Sequence, residues 1–196
     1  MGWTGYTAHY YKNGKVDRKA ECDAYFLEGL NEGHFQVVKS AMVGSTYYAA
    51  VRNLKKCVGT NEDGWGIYED LPESEQEVRG FVFLTQVKDG EFYYKDMTES
   101  MLPYYFDCPK SIIKALSPTD NENANIWRNK CLEKKAKKND YPIGTVLTFE
   151  WWNGEKKIIK RAPNYQFKTT WWEVVGERKY FSKKNIPWDS VTVVEG

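Results

Sequence analysis

The chain has 196 residues, of which 41% are apolar and 28% are charged, a composition typical of a globular protein with one or two domains. No apolar run could span a bilayer and no signal-peptide pattern opens the chain, so we exclude a membrane protein and expect a cytoplasmic one. The net charge of +1 hides a polarity: residues 1–127 hold 13 Lys/Arg and 19 Asp/Glu, whereas residues 141–196 hold 9 and 6. A basic C-terminal third favours polyanionic partners.

The first part of the chain alternates strand and turn signals around one helix. Residues 4–12 predict a strand, and Asp17 predicts the N-cap of a helix that runs to about Leu30. Two strand-like runs, 35–43 and 46–54, are joined by a Gly-Ser pair and predict a hairpin.

A polar stretch precedes a second hairpin signal. Residues 59–77 are rich in Gly, Asn, Asp, Pro and Glu and predict a surface loop. Its acidic residues fit solvation, mimicry of a phosphate backbone or docking to a basic partner. Residues 80–87 and 91–94 flank an Asp-Gly pair, which favours a tight hairpin turn.

Helix signals occupy the next segment. Pro109 predicts the start of a short helix, and Thr119 or Asp120 predicts the cap of a longer one that reaches about Lys138. The apolar positions of the longer helix have helical spacing and predict a buried face, formed by Ala124, Trp127, Cys131 and Leu132. We therefore predict an α+β domain over residues 1–138 with a mixed antiparallel sheet.

From Pro142 onward the pattern is all-β. Five short strand signals fall within about 55 residues, which is typical of a small barrel. We predict an SH3-like β-barrel over residues 139–196.

This predicted barrel combines tryptophan with lysine and arginine. In a strand, one member of each Trp-Trp pair should face outward. An exposed Trp beside cations is a stacking platform for unpaired bases and equally a protein–protein hot spot. The predicted site for a protein partner or nucleic acid consists of Trp151, Trp152, Lys156, Lys157, Lys160, Arg161, Trp171, Trp172, Arg178, Lys179, Lys183 and Lys184.

No motif identifies an enzyme. The chain lacks a Walker A sequence, a G-x-G-x-x-G, an H-E-x-x-H and a compact carboxylate cluster, so we predict no catalytic residue, no metal ligand and no cofactor. The four cysteines lack C-x-x-C spacing and are interpreted as free thiols, with a zinc site from distant cysteines left open. An enzymatic alternative would use Cys108 with His9 or His34 as base.

Several blocks together resemble an uncharacterised family of small proteins encoded by phages and other mobile elements of bacteria. They are MGWTGYTAHYY, AECDAYFLEGLNEG, MVGSTYYAAV, YYKDMTES followed by PYYFDCP, and RAPNYQFKTTWW. The resemblance covers nearly the whole chain but brings no catalytic signature. It implies an accessory or counter-defence factor, a class that includes inhibitors of CRISPR nucleases.

Three functions follow as expectations. The leading one is a non-enzymatic, anti-CRISPR-like binding protein that occupies a host protein or nucleoprotein complex, a CRISPR nuclease among the candidates, without contacting a membrane. The second is direct binding of single-stranded or structured nucleic acid. The third is a Cys/His-dependent enzyme. The sequence does not determine the oligomeric state.

Overall fold

A computed structural model describes residues 2–188 and 190–194, without the side chains of residues 137–140. The protein has an α+β fold with antiparallel sheets, as the sequence predicts. It divides into an N-terminal unit, Met1–Cys131, and a C-terminal unit, Leu132–Gly196. The division falls within a helix and before the boundary predicted after residue 138.

The helices of the chain are α1 (Arg18–Leu27), α2 (Lys110–Ile113) and α3 (Glu122–Asp140). The strands of the N-terminal unit are β1 (Thr4–Thr7), β2 (Tyr11–Lys12), β3 (Lys15–Val16), β4 (Phe35–Val43), β5 (Thr46–Asn53), β6 (Lys55–Thr60), β7 (Gly66–Asp70), β8 (Val78–Lys88) and β9 (Glu91–Thr98). Both predicted long hairpins, β4–β5 and β8–β9, are confirmed.

The main sheet of the N-terminal unit has the order β1-β9-β8-β5-β4 and is covered on both faces. Strand β5 is central, so successive side chains enter different cores. Tyr47 packs with Phe26 of α1, whereas Tyr48 packs with Ile112 of α2 and Trp127 of α3. Both tyrosines of this pair are therefore buried.

Helix α1 starts where the sequence predicts and ends earlier. The Asp17 side chain accepts hydrogen bonds from the backbone N–H groups of Lys19 and Ala20, both at 3.1 Å. The helix ends at Leu27 rather than near Leu30, because Gly29 adopts a φ of 61° and begins a short 3₁₀ turn.

Helix α3 is capped by a residue that the sequence analysis missed. The Asn121 side chain accepts a 2.9 Å hydrogen bond from the backbone N–H of Ala124, so the predicted caps Thr119 and Asp120 are wrong. Ala124, Trp127 and Cys131 form the predicted buried face, but Leu132 is exposed.

The loop predicted over residues 59–77 is wrong in part. Strands β6 and β7 pair there as a separate two-stranded hairpin, with a register shift at Val58. Every residue from 56 to 70 is exposed, so the segment lacks the buried alternation that usually reveals a strand. Hydrogen bonds at its base and tip hold it instead.

The C-terminal unit is built on a second antiparallel sheet. Its strands are β10 (Val146–Trp151), β11 (Gly154–Arg161), β12 (Trp171–Val174), β13 (Tyr180–Phe181) and β14 (Thr192–Val194). Their order is β13-β12-β11-β10-β14. In the residues described, β13 and β14 do not pair with each other, so the sheet is open there and a barrel is not confirmed.

One face of this sheet forms the core of the C-terminal unit. Its buried side chains are Leu147, Phe149, Ile158, Trp172, Val174, Ile186 and Trp188. Among the residues that the structure describes, no strand residue on the other face is buried, and we call it the uncovered face.

Candidate functional site

The uncovered face of the C-terminal sheet carries three aromatic rings in mutual contact. Phe167 stacks on Trp171, with ring centroids 4.7 Å apart and planes at 23°. Tyr180 meets Phe167 edge-on, with centroids 5.0 Å apart. We call Phe167, Trp171 and Tyr180 the aromatic cluster. Tyr180 is exposed and the other two are half-buried, so rings remain available to a partner.

The loop between β11 and β12 holds the aromatic cluster in place. The Asn164 side chain accepts hydrogen bonds from the backbone N–H groups of Gln166, at 2.9 Å, and Phe167, at 2.8 Å. The indole N–H of Trp171 donates to the backbone carbonyl of Ala162 at 3.0 Å. These bonds orient both stacked rings before any ligand arrives, which lowers the entropic cost of binding.

Cations adjoin the aromatic cluster. Arg161 is the cross-strand neighbour of Trp171, and its guanidinium pairs with Glu173 at 2.5 Å. Lys157 projects from the same face of β11, because residues two and four apart in a strand share a side. Lys157 and Lys168 are exposed and form no ion pair with the side chains that the structure describes. A ligand would find aromatic faces flanked by available positive charge.

A second group of cations lies near Lys157, at the end of β11 away from Arg161. Lys156 and Lys179 both pair with Glu177, at 3.9 and 2.9 Å. The hydrogen bond and charge of Lys179 hold the pKa of Glu177 below its ordinary value. Arg178 lies between Glu177 and Lys179 in the sequence and is exposed. Part of the predicted positive charge is therefore neutralised within the protein.

Trp152 is the most exposed of the predicted tryptophans. It occupies the β10–β11 turn with Asn153, because Trp151 and Gly154 form the last cross-strand pair. The indole is 85% exposed and lies at the end of the sheet away from the Arg161–Trp171 pair.

Three predicted site residues do not belong to this exposed face. Trp172 is fully buried in the core, and Trp151 packs at its edge against Phe181. Lys160 lies on the core face, where its ammonium donates to the Tyr141 backbone carbonyl. These three assignments are wrong because the strand alternation turns their side chains inward.

The remaining lysines of the predicted set lie near β13. Lys183 is half-buried and donates to the Thr170 hydroxyl at 3.5 Å, so it is a poor candidate for a phosphate contact. Lys184 is exposed and free of ion pairs within the described residues. The structure therefore brings together Arg161 and Trp171 and keeps Lys184 accessible.

Two functional candidates were missed from the sequence. Phe167 and Tyr180 complete the aromatic cluster, although neither belongs to a Trp pair. The signal that could have identified Phe167 is Asn164, since Asn favours a turn that binds the backbone two and three residues later. No local signal relates Tyr180 to Phe167, because the contact crosses between separate elements.

The structure leaves the enzymatic alternative without an accessible nucleophile, because its candidate, Cys108, is buried. Cys108 is fully buried in the core with Tyr48 and Trp127. The rings of His9 and His34 contact Tyr6 and Tyr68. A reactive thiolate needs exposure to solvent, and the Cys108 thiol is fully buried.

The other possible ligand groups are scattered. Among the residues that the structure describes, no three His, Cys, Asp or Glu side chains cluster as a metal site would require. Cys22 packs in the core with α1, Cys108 and Cys131 pack in the core with α2 and α3, and Cys57 is exposed on β6. The described helices include none with the length and apolarity to cross a bilayer.

Comparisons with protein families, with curated proteins and with solved structures found no match to the chain.

Proposed function

We propose that the chain is a non-enzymatic binding protein whose C-terminal unit contacts the nucleic acid of a host nucleoprotein. The observation that carries this proposal is the aromatic cluster, a preordered stack beside Arg161 on an uncovered sheet face. Lys168 follows Phe167 in the sequence, and Lys157 lies farther along the same face of β11. Every nucleobase has a π-face, so such a stack accepts unpaired bases of any sequence. The neighbouring cations fit the phosphates between them.

The available length of the face fits a short single-stranded segment. Lys157 and Arg161 are four residues apart on β11, which places their backbones about 13 Å apart. The aromatic cluster lies at the Arg161 end. Bases could stack at that end while the backbone follows the cations along β11.

The resemblance to proteins of phages and mobile elements supports a bacterial host and a counter-defence role in its cytoplasm. A CRISPR nuclease, which holds nucleic acid in a basic channel, is the proposed type of target. We include in the proposal that the C-terminal sheet belongs to a small SH3-like barrel, since five short strands with a one-sided core are typical of such folds.

The direct test is fluorescence anisotropy of a labelled single-stranded oligonucleotide over a series of salt concentrations. Binding should weaken as salt rises, because phosphate contacts release counterions. Trp171→Ala should reduce affinity roughly 5- to 100-fold with an unchanged salt dependence, since it removes stacking but no charge. Lys157→Gln should instead lower the slope of log affinity against log salt by about 0.7.

Trp152→Ala is the matched control, because it removes an exposed indole from the other end of the sheet. Its affinity should equal that of the unsubstituted chain. A salt-independent affinity, or equal losses from Trp171→Ala and Trp152→Ala, would contradict the assignment to the aromatic cluster.

The host target is tested by capture from bacterial lysate with and without nuclease treatment. A nucleoprotein held through its nucleic acid should be lost after nuclease treatment and after Trp171→Ala, but retained by Trp152→Ala. Capture that resists both nuclease treatment and Trp171→Ala would mean that the aromatic cluster does not contact the target.

A further inference from the structure

The β6–β7 hairpin of the N-terminal unit leaves several large apolar side chains exposed among the residues that the structure describes. Val58, Trp65, Ile67 and Tyr68 are all exposed, and Trp65 is 63% exposed. A two-stranded hairpin gains little stability by itself in water. A hairpin that only connected two strands would be expected to expose polar side chains. These four exposed apolar side chains therefore indicate contact with a partner.

The tip of this hairpin is ordered by one asparagine. The Asn61 side chain accepts a hydrogen bond from the backbone N–H of Trp65 at 2.8 Å. The backbone N–H of Asn61 donates to the Trp65 carbonyl at 2.8 Å, and that of Gly64 donates to the Asn61 carbonyl at 3.0 Å. Gly64 has a φ of 81°, which an L side chain rarely adopts. The position of Trp65 is therefore set before binding.

The base of the hairpin is fixed as well. The backbone N–H of Leu54 donates to the His34 carbonyl at 2.9 Å, and that of Leu71 donates to the Leu54 carbonyl at 2.7 Å. The Tyr68 ring lies 4.3 Å from the His34 ring, between centroids. The hairpin is thus anchored to the N-terminal unit by hydrogen bonds and a ring contact at its base.

The surroundings of Trp65 are strongly acidic. Residues 55–77 contain seven Asp/Glu and two Lys. Lys55 pairs with Asp70 at 3.8 Å, and Lys56 faces Glu69 across the strands. Further carboxylates have no ion-pair partner among the residues described, and these are Glu62, Asp63, Glu73 and Glu75. Glu62 and Asp63 belong to the ordered tip itself.

We propose that this hairpin tip docks onto an arginine-rich surface of a protein partner. A guanidinium can stack on the exposed indole of Trp65 and bind Glu62 or Asp63 through charge-assisted hydrogen bonds. Arginine fits better than lysine, because its planar group can do both at once. Basic protein surfaces of this kind normally bind nucleic acid. The inference needs no nucleic acid and no residue of the C-terminal unit.

The full chain is tested with a fluorescein-labelled nona-arginine peptide by anisotropy. Trp65→Ala should weaken binding about tenfold while every charge is kept, which separates docking from general electrostatic attraction. Trp152→Ala is its control and should bind as the unsubstituted chain does. Glu62→Gln with Asp63→Asn should weaken binding more than Glu73→Gln with Glu75→Gln, which removes the same charge outside the tip.

All of these side chains are exposed, so the far-ultraviolet circular dichroism of each variant should match that of the unsubstituted chain. Equal peptide affinity for Trp65→Ala and Trp152→Ala would overturn the proposal. The hairpin tip could instead bind the basic C-terminal unit of a second copy of this chain, and sedimentation velocity tests for such self-association. If the chain self-associates and Trp65→Ala abolishes that self-association, the hairpin tip binds a second copy and the proposal is overturned.

The two proposals fail independently. Oligonucleotide binding depends on Trp171 and should not change with Trp65→Ala, whereas peptide binding depends on Trp65 and should not change with Trp171→Ala.

Discussion

A buried ion pair offers a sharp test of what holds the N-terminal unit together. The Arg128 side chain of α3 binds both carboxylate oxygens of Glu99 at 2.7 Å and the Ser117 backbone carbonyl at 2.8 Å. The Glu99 side chain is 3% exposed. Gly80 allows this close packing, because a Cβ there would lie 3.1 Å from a Glu99 carboxylate oxygen.

Arg128→Met should lower the free energy of unfolding by roughly 3–5 kcal/mol. The substitution keeps an unbranched apolar chain but leaves the Glu99 carboxylate buried without its partner and the Ser117 carbonyl without this donor. For a chain of this size, the melting temperature of the N-terminal unit should fall by about 10 °C.

Two further variants separate burial from charge pairing. Glu99→Gln combined with Arg128→Met should be more stable than Arg128→Met alone, because a neutral amide costs only about 1–3 kcal/mol to bury unpaired. Lys19→Met removes the exposed Lys19–Asp23 pair, which has a similar 2.6 Å separation. That change should cost at most about 0.5 kcal/mol.

The assay is urea unfolding followed through indole N–H signals in heteronuclear NMR spectra. The Trp127 indole donates to the Tyr105 carbonyl in the N-terminal unit, and the Trp188 indole donates to the Lys183 carbonyl in the C-terminal unit. Arg128→Met should shift the midpoint reported by Trp127. A loss no larger than that of Lys19→Met, or a double variant less stable than Arg128→Met, would refute the reasoning.

Two other predictions concern thiols and phenols. Of the four cysteines only Cys57 is exposed, so native protein should react quickly with one equivalent of a thiol reagent and unfolded protein with four. A fast phase that survives Cys57→Ser would contradict this. Burial raises the pKa of Tyr47 and Tyr48 above the ordinary range, with added contributions from Asp23 and Asp107. The unfolded chain loses these protons first above about pH 10, so each phenol should lower the free energy of unfolding by up to roughly 1.4 kcal/mol per pH unit. Tyr48→Phe should raise the alkaline midpoint measured by circular dichroism, and an unchanged midpoint would count against this linkage.

Local signals in the sequence predict most of the secondary structure. Asp17 caps α1 because its carboxylate reaches nearby backbone N–H groups, an interaction contained within four residues. The Gly-Ser and Asp-Gly turns work for the same reason. The β6–β7 hairpin was missed because it is exposed on both faces and therefore shows no alternation of apolar and polar residues.

The candidate site was less predictable, because it depends on long-range pairing. Composition alone cannot show that Arg161 meets Glu173 or that Lys156 and Lys179 share Glu177. The alternation of β12 does predict that one of its tryptophans is buried. Only the register of the strands against the core establishes that this residue is Trp172.

The two proposed surfaces have opposite electrostatic character. The N-terminal unit holds 15 Lys/Arg and 19 Asp/Glu, and the C-terminal unit holds 13 and 8. One exposes Trp65 among carboxylates and the other exposes the aromatic cluster among cations. A nucleoprotein presents both complements, a basic protein surface and an acidic backbone. Two modest contacts in one chain would strengthen each other there through effective concentration, because the second contact forms within an existing complex. On these two proposals, binding to the intact nucleoprotein should be tighter than binding to either component, and this difference would select a nucleoprotein over free nucleic acid or free basic protein.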